Sequence, residues 1–335
     1  MAPPHELALL TKIARMYYEQ EMSQADIADR LSLSQSSVSR FLKRAKAEHL
    51  VRIIVTDPHG TYSYLEQSLQ EAFELDNAVV VDSGETDDQL VQNIGAAAAF
   101  YVETTLRPGE IIGLSSWSGT LLAMVDAIHP RQLRHRGHAE VVQILGGVGN
   151  PRAEVHAVHL TRRLAELVDG PAHFLPAPGI AGSRQARDTL LEDPYVDETM
   201  KLFHGVTLAL VGIGSLEPSH LLAASGNRFS PAELDSLKRL GAVGDICSHF
   251  FDNQGRQVIS PQDERVIGMS LEELKLVPRS VGIAGGLRKR EAIRGALNGR
   301  LINVLITDNI VAERLVAERL DHMVRPLRIA NQAPT

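Results

Sequence analysis

Two sets of side chains in this sequence have the types and spacing to do chemistry. The first is compact: Ser34, Gln35, Ser36, Ser37 and Ser39 supply short hydroxyls and an amide, and Arg40, Lys43 and Arg44 follow directly. Hydroxyls and amides of that length reach base edges in a DNA major groove, while the cations neutralise phosphates. Gln24, just inside an earlier helix start, belongs with them, and no acid interrupts Ser34 to Ala47. The second set is dispersed. Ser115, Ser116, Trp117, Ser118, Gly119 and Thr120 form a hydroxyl- and glycine-rich run, Gln143 and Gly146 lie in VVQILGGVG, Asp245 lies in GAVGDIC, and Lys289 follows GIAGGLR. A loop of hydroxyls and glycine that enters a helix presents N–H and O–H donors to an anion or to sugar hydroxyls. It holds no lysine, so it is not a nucleoside-triphosphate P-loop. Trp117, the only tryptophan, either stacks on the apolar face of a sugar or packs in the core. Lys289 stands at a helix start, where the helix dipole opposes a cation and an anionic partner would answer it. Each of these residues has an ordinary alternative: Gln143 closing a strand end, Asp245 in a structural pair, Lys289 in solvent. Their placement at the ends of expected strands is what points to a pocket.

The elements that must carry the first set are legible. Glu6 to Glu19 reads as a helix with Leu9, Leu10, Ile13, Ala14 and Tyr17 on one side. Ser23 caps a second helix, with Asp26 three residues on and Ala25, Ile27, Ala28 and Leu31 as its apolar face. Ser32 and Leu33 make a turn, and Ser34 caps a third helix that packs through Val38, Phe41, Leu42 and Ala45. The apolar run VRIIV, Val51 to Val55, reads as a wing strand, and DPHGTYS, Asp57 to Ser63, as a linker. The expectation is a helix-turn-helix, winged-helix-like unit over residues 1–56, a linker over 57–63 and an effector domain over 64–325. An amphipathic helical hairpin that binds nothing is the competing reading; the tight double-capped turn, the acid-free face and the wing favour DNA.

The second set needs a different scaffold. From Ala78 onward, short β-branched runs alternate with helical segments. NAVVVD, EIIGLS, VVQILGG, AHFLPA, TLALVGIGS, SVGIAGG and INVLITD read as buried strands. Helices are expected over Tyr64 to Leu75, Asp87 to Leu106, from Thr120, Glu154 to Val168, Pro231 to Leu240 and Arg288 to Asn298. Near-continuous apolar strands separated by helices imply a mainly parallel sheet covered on both faces, whose ligands bind at the carboxyl ends of the strands.

Composition narrows the function classes. A chain of 335 residues has room for two domains, and its net charge of −7 is unevenly spread: Met1 to Gly60 carries eight Lys/Arg against seven Asp/Glu. A local basic face on an acidic protein fits one polyanion contact, not a nucleic-acid-coating surface. Cys247 is the only cysteine, which excludes an intrachain disulfide and a multi-cysteine zinc site. No signal peptide or membrane span is read, so the expected place is the cytoplasm. His156 and His159 with Glu154 have metal-ligand spacing, a pattern common by chance on helix surfaces, and neither a metal nor a cofactor is expected.

Taken in order, the helix-turn-helix and the motifs GLSSWSGTLL, VVQILGGVG, FLPAPGI, LALVGIGS, GAVGDIC, FFDNQG, RVIGMSLEEL, VGIAGGLRKREAI and INVLITD resemble the SorC family of bacterial transcription regulators, often grouped with DeoR-type proteins. The resemblance covers nearly the whole chain. It implies an α/β, Rossmann-like effector domain similar to sugar-phosphate isomerases, with SSWSGT holding the phosphate end of a sugar and Gln143, Asp245 and Lys289 in the same pocket. This first loop departs from the family's more glycine-rich version at Ser115, Ser116 and Trp117, which keeps an unphosphorylated sugar or a polyol beside a sugar phosphate. The implied partners are double-stranded operator DNA and a second copy or more, as homodimer or homotetramer. The implied function is effector-controlled regulation, by repression, of a carbohydrate-utilisation operon. The rival is a sugar-phosphate isomerase or deaminase carrying a DNA-binding domain, with Asp245 as base and Cys247 or His249 as its partner.

Overall fold

The computed structural model describes residues 4–48, 50, 51, 58, 61–115, 118–129, 138–147, 151–217 and 229–330, and for 151–157 and 320–330 it describes the backbone alone. The chain divides into two compact units, Met1–Pro58 and His59–Thr335.

The first unit holds three helices, α1 (Pro4–Tyr18), α2 (Gln24–Leu31) and α3 (Gln35–Ala47). Both later helices start as their sequences require. Ser23 Oγ accepts the N–H of Asp26 at 3.1 Å, and Ser34 Oγ accepts the N–H of Ser37 at 3.2 Å. The turn between them reverses at Ser32, whose φ of 55° is left-handed. Ile13, Met16, Ile27, Ala28, Val38 and Leu42 form the core that fixes α3 against α1 and α2. Ala25, expected on the apolar face of α2, is exposed; Ile27, Ala28 and Leu31 make that face without it. Of the expected wing, Val51 is not in a strand, and Arg52 to Val55 lie outside the described residues.

The second unit begins with α4 (Ser63–Phe73) and β1 (Asn77–Val81), then α5 (Asp87–Thr105), β2 (Ile111–Leu114), α6 (Gly119–Ala127), β3 (Glu140–Gln143), α7 (Pro151–Leu167) and β4 (Ala172–His173). Two short helices follow, α8 (Arg184–Leu191) and α9 (Pro194–Lys201), then β5 (Leu208–Val211), β6 (Gly214–Ser215), α10 (Pro231–Arg239), β7 (Ala242–Ile246) and β8 (His249–Asp252). The chain ends with α11 (Leu271–Leu276), β9 (Arg279–Ile283), α12 (Arg290–Asn298), β10 (Val304–Asp308) and α13 (Asn309–Ala330). Seven strands pair in parallel in the order β1-β10-β9-β5-β2-β3-β4, and β6, β7 and β8 form a separate antiparallel sheet.

Alternate residues of the parallel strands enter two cores. Ile112, Leu114, Val141, Leu208, Leu210 and Val281 pack beneath α5, α6 and α7. Ala78, Val80, Val142, Ala209, Val211 and Leu305 pack on the other face, against α4, α12 and α13. Burial on both sides explains the near-continuous apolar strands.

Several boundaries differ from expectation for local reasons. TLALVGIGS divides: β5 stops at Val211, and Gly214 and Ser215 join the antiparallel sheet. AHFLPA is a strand only over Ala172–His173. Asp245 was expected at the end of a parallel strand and instead lies within β7, paired with Gly214 and Phe250. The β7–β8 hairpin escaped the sequence reading because its two-residue turn is Cys247 and Ser248, at φ 51° and 63°, where glycine or asparagine is the usual sign. A short 3₁₀ turn over Leu287–Lys289 precedes α12, so Lys289 stands just before that helix, at its N-cap position and without a side-chain cap hydrogen bond.

At the amino edge of the sheet, Arg279 makes two 2.8 Å hydrogen bonds to both carboxylate oxygens of buried Glu110 and a third, at 3.0 Å, to the carbonyl of Thr105. Removing one partner strands the other charge. Arg279→Met should cost about 3 kcal/mol in urea unfolding of the intact chain, and adding Glu110→Leu should recover most of it; equal losses in the two variants would show that the pair's charge is not what matters.

Candidate functional site

The carboxyl ends of six parallel strands open into one cleft of about 1130 Å³. Ser83 follows β1, Ser115 follows β2, Gly146 follows β3, Gly212 follows β5, Gly285 follows β9, and Asp308 ends β10; all six line it. The edge of a parallel sheet that faces the helix N-termini is where backbone donors collect.

At its base, α6 starts without an acid in its first turn and without a side-chain cap from Ser118. The first N–H groups of a helix have no acceptor within it, so those of Gly119 and Thr120 face the cleft as donors. The hydroxyls beside them have assigned roles. Thr120 Oγ1 donates to the carbonyl of Ile283 at 3.0 Å, so in its 2.7 Å bond with Ser118 it accepts. Ser115 Oγ accepts the N–H of Gly212 at 3.1 Å, which fixes that hydroxyl at the cleft. Gly212 is required there, since an added Cβ would stand 2.8 Å from that of Ser118. Ser116 and Trp117 lie outside the described residues.

The antiparallel sheet brings Asp245 against this base. Its Oδ1 lies 2.0 Å from where a Cβ on Gly214 would be, so only glycine admits it. Burial pushes the Asp245 carboxyl up to about 6, against the pull of the Ser248 N–H, Lys289 and His249. Burial likewise lowers Lys289 from the usual lysine range; Asp245 opposes that shift and Arg288 adds to it. Among the described residues Lys289 has no ion-pair partner within 4 Å, so both charges line the cleft without direct pairing.

His249 stands opposite Ile246 on β7, and alternation turns both away from the face shared by Asp245 and Phe250. Its Nδ1 lies 2.7 Å from Asp263 Oδ1. The Cys247 thiol is buried, and burial raises it far above the usual thiol range. Neither forms an acid–base pair with Asp245.

Gln143 is 2 % exposed, donates to the carbonyl of Leu145 at 2.9 Å and does not line the cleft. The sequence reading missed Asp308, which takes the N–H groups of Gly286 at 2.7 Å and Val311 at 3.0 Å and so holds the loop before Lys289 in place. Its signal was the acid closing INVLITD. Also missed was an apolar wall of Leu216, Phe229, Leu234 and Phe250, from residues distant in sequence.

On the first unit, Ser34, Ser36 and Ser37 form a hydroxyl cluster at the start of α3, with Ser34 Oγ 2.9 Å and 2.8 Å from the other two. Arg40 donates to Ser37 Oγ at 3.2 Å. Gln35 and Lys43 are exposed, whereas Gln24 and Ser39 are half-buried. Arg44 is engaged by Glu6 and Glu48, which leaves Arg40 and Lys43 as the cations of this face without a carboxylate partner among the described residues. Of the residues with metal-ligand spacing, the side chains of Glu154 and His156 lie outside the described residues, and among the described residues no group of three His, Cys, Asp or Glu could hold a metal. No described helix is long and apolar enough to cross a membrane.

A helix-turn-helix joined to a doubly covered parallel sheet with a ligand-sized cleft is the architecture of an effector-responsive transcription regulator. Residues 58–317 match the family described as "Putative sugar-binding domain", and residues 11–47 match Sigma-70, region 4. The chain is 33% identical over 309 residues to the deoxyribonucleoside regulator of Bacillus subtilis, covering 92% of this chain and 97% of that one. It is 32% identical over 314 residues to the sorbitol operon regulator of Klebsiella pneumoniae, covering 93% and 98%. The crystal structure of that full-length regulator, SorC, superposes with a TM-score of 0.69 over 93% of this chain and 99% of its own, at 30% identity. The sugar-binding domain of a DeoR regulator from Pseudomonas syringae pv. tomato gives 0.61 at 38% identity, over 77% of this chain and all of its own. The chain belongs to the SorC family of bacterial transcription regulators.

The position of Asp245 has a stability consequence with a definite sign. Its carboxyl titrates higher folded than unfolded, so the fold is penalised as pH rises from the ordinary value of 3.8 through about 6, and fully above that. Asp245→Asn should therefore raise stability at pH 7 by up to about 3 kcal/mol and change it little at pH 4. Thermal unfolding against pH checks this; an equal effect at both values would contradict it.

Proposed function

We propose that this protein represses a carbohydrate-utilisation operon in the cytoplasm, binding double-stranded operator DNA through Gln24, Ser34 to Ser37, Ser39, Arg40, Lys43 and Arg44. Its signal is a sugar, sugar phosphate or polyol seated in the cleft. The observation that carries the effector half is the amino end of α6, which Ser118 does not cap: its first residues, Ser115 and Lys289 line one cavity at the carboxyl edge of the sheet. Such a cluster suits the phosphate or hydroxyl end of a sugar. Asp245 suits sugar hydroxyls, and Gly146 shapes the wall. Ser116 and Trp117 belong to the same loop in sequence. Similarity to a deoxyribonucleoside regulator and a sorbitol operon regulator supports a carbohydrate-related signal.

Residues 1–56 are the DNA-binding part, 57–63 the linker and 64–325 the effector part. The protein acts as a homodimer or homotetramer, because a helix-turn-helix reads paired half-sites at a spacing set by its partner copy. Effector binding favours one arrangement of the assembly over another and so alters that spacing; only a difference in effector affinity between the two arrangements can do this. The isomerase reading loses the two partners it named for Asp245, since His249 is engaged by Asp263 and the Cys247 thiol is buried.

A thermal-shift screen against sugars, polyols and their phosphates tests the effector half, since a ligand at a hundredfold excess over its Kd adds about 2.7 kcal/mol to the native state. A stabilising compound should lose its effect in Lys289→Met, while operator affinity without effector stays unchanged. A Lys289→Met protein that still responds fully would place the site elsewhere. For the DNA half, Arg40→Ala with Lys43→Ala should weaken operator binding and reduce the slope of log K against log salt by about two. An unchanged slope would remove this face from phosphate contact.

A further inference from the structure

Helices α5 and α6 both begin at the cleft, and their first turns are electrostatic opposites. The start of α6 has no acid, and Arg288 and Lys289 line the same cavity. The start of α5 carries Asp87 and Asp88, and Thr86 Oγ1 takes the N–H of Gln89 at 3.2 Å. The positive end of the α5 dipole is thus answered by its own side chains, whereas that of α6 is open. Glu85, beside α5, and Glu217, just after β6, extend the acidic side of the cleft. Among the described residues none of these four carboxylates has an ion-pair partner, although two cations line the same cavity. The loop before Lys289 packs on α5: a Cβ on Gly286 would stand 3.3 Å from Leu90. The apolar wall of Leu216, Phe229, Leu234 and Phe250 adds surface with no donor for an anion. Asp87 and Asp88 also serve α5 as acids in its first turn, a role compatible with a second one toward the cleft.

We propose that the cleft selects an effector with a single phosphate, seated between the start of α6 and Lys289, and an uncharged remainder, because a second phosphate would meet Glu85, Asp87, Asp88 and Glu217. The proposal rests on the reading of the cleft as an effector site and specifies the ligand class within it. Rejection by like charge is a usual way of making a site specific. Because the four carboxylates are exposed, the discrimination is screened by salt: about tenfold at low ionic strength, and close to none where the screening length falls to about 3 Å, near 1 M.

The test is calorimetry on the full-length protein with two matched pairs, fructose 6-phosphate against fructose 1,6-bisphosphate and ribulose 5-phosphate against ribulose 1,5-bisphosphate. Wild type should prefer the monophosphate in the pair it binds, and added salt should erase the preference. Asp87→Asn with Asp88→Asn and Glu217→Gln should bind the bisphosphate about tenfold more tightly than wild type and the monophosphate within about twofold. All three positions are exposed, and the thermal midpoint shows whether the variant is folded. A wild type that takes the bisphosphate equally well, or a folded variant that gains no affinity for it, overturns the proposal. Lys289→Met separates this from the underlying reading: undiminished monophosphate affinity there would remove the anion seat, whatever the acidic side does.

Discussion

The parallel pairing of seven strands, buried on both faces, is the constraint on which the rest of the structure depends. Parallel strands must be joined by crossovers, so all their carboxyl ends emerge on one edge, and the loops after β1, β2, β3, β9 and β10 lead from that edge toward a helix start. Ser83, Ser115, Gly146, Gly212, Gly285 and Asp308 are far apart in sequence and adjacent only because of this register. The Glu110–Arg279 pair sits on the opposite edge, where its donors and acceptors are satisfied within the protein. One edge is closed by its own hydrogen bonds and the other is left with donors to spare.

The spare groups come from backbone geometry as much as from side chains. Gly212 and Gly214 let Ser118 and Asp245 approach the end of β5, and Asp308 pins Gly286 in the loop that carries Lys289 into the cleft. Asp245 and Lys289 are each shifted toward neutrality by burial while standing near one another without direct contact. A structural ion pair would have closed that gap. Groups held near each other, partly desolvated and unpaired, are those a ligand can satisfy, at a cost in stability that the free protein carries.

What was legible in the sequence followed from periodicity and capping. The apolar spacing of Val38, Leu42 and Ala45 and the caps at Ser23 and Ser34 located α2 and α3, and β-branched runs located the parallel strands, because both signals are local. The hairpin around Cys247 and Ser248 was not legible, since its turn uses two residues that seldom adopt positive φ. For Gln143 the sequence offered both outcomes, and the structure takes the ordinary one: its amide closes a strand end within the protein instead of lining the cleft. Sequence marked Asp245 as important but gave it the wrong element: its place in the cleft depends on pairing with Gly214, thirty-one residues away. The acidic side of the cleft was equally hidden, because Asp87 and Asp88 look like ordinary first-turn acids until α5 is seen beginning beside α6.

In the proposed mechanism one equilibrium links the cleft to the DNA-binding helices. Linkage requires that effector and operator alter each other's affinity by the same factor. The direct measurement is the effector's Kd on free protein and on protein saturated with operator. The two should differ, by the same factor by which effector changes operator affinity. Equal effector affinity in the two states, beside a real change in operator binding, would contradict it.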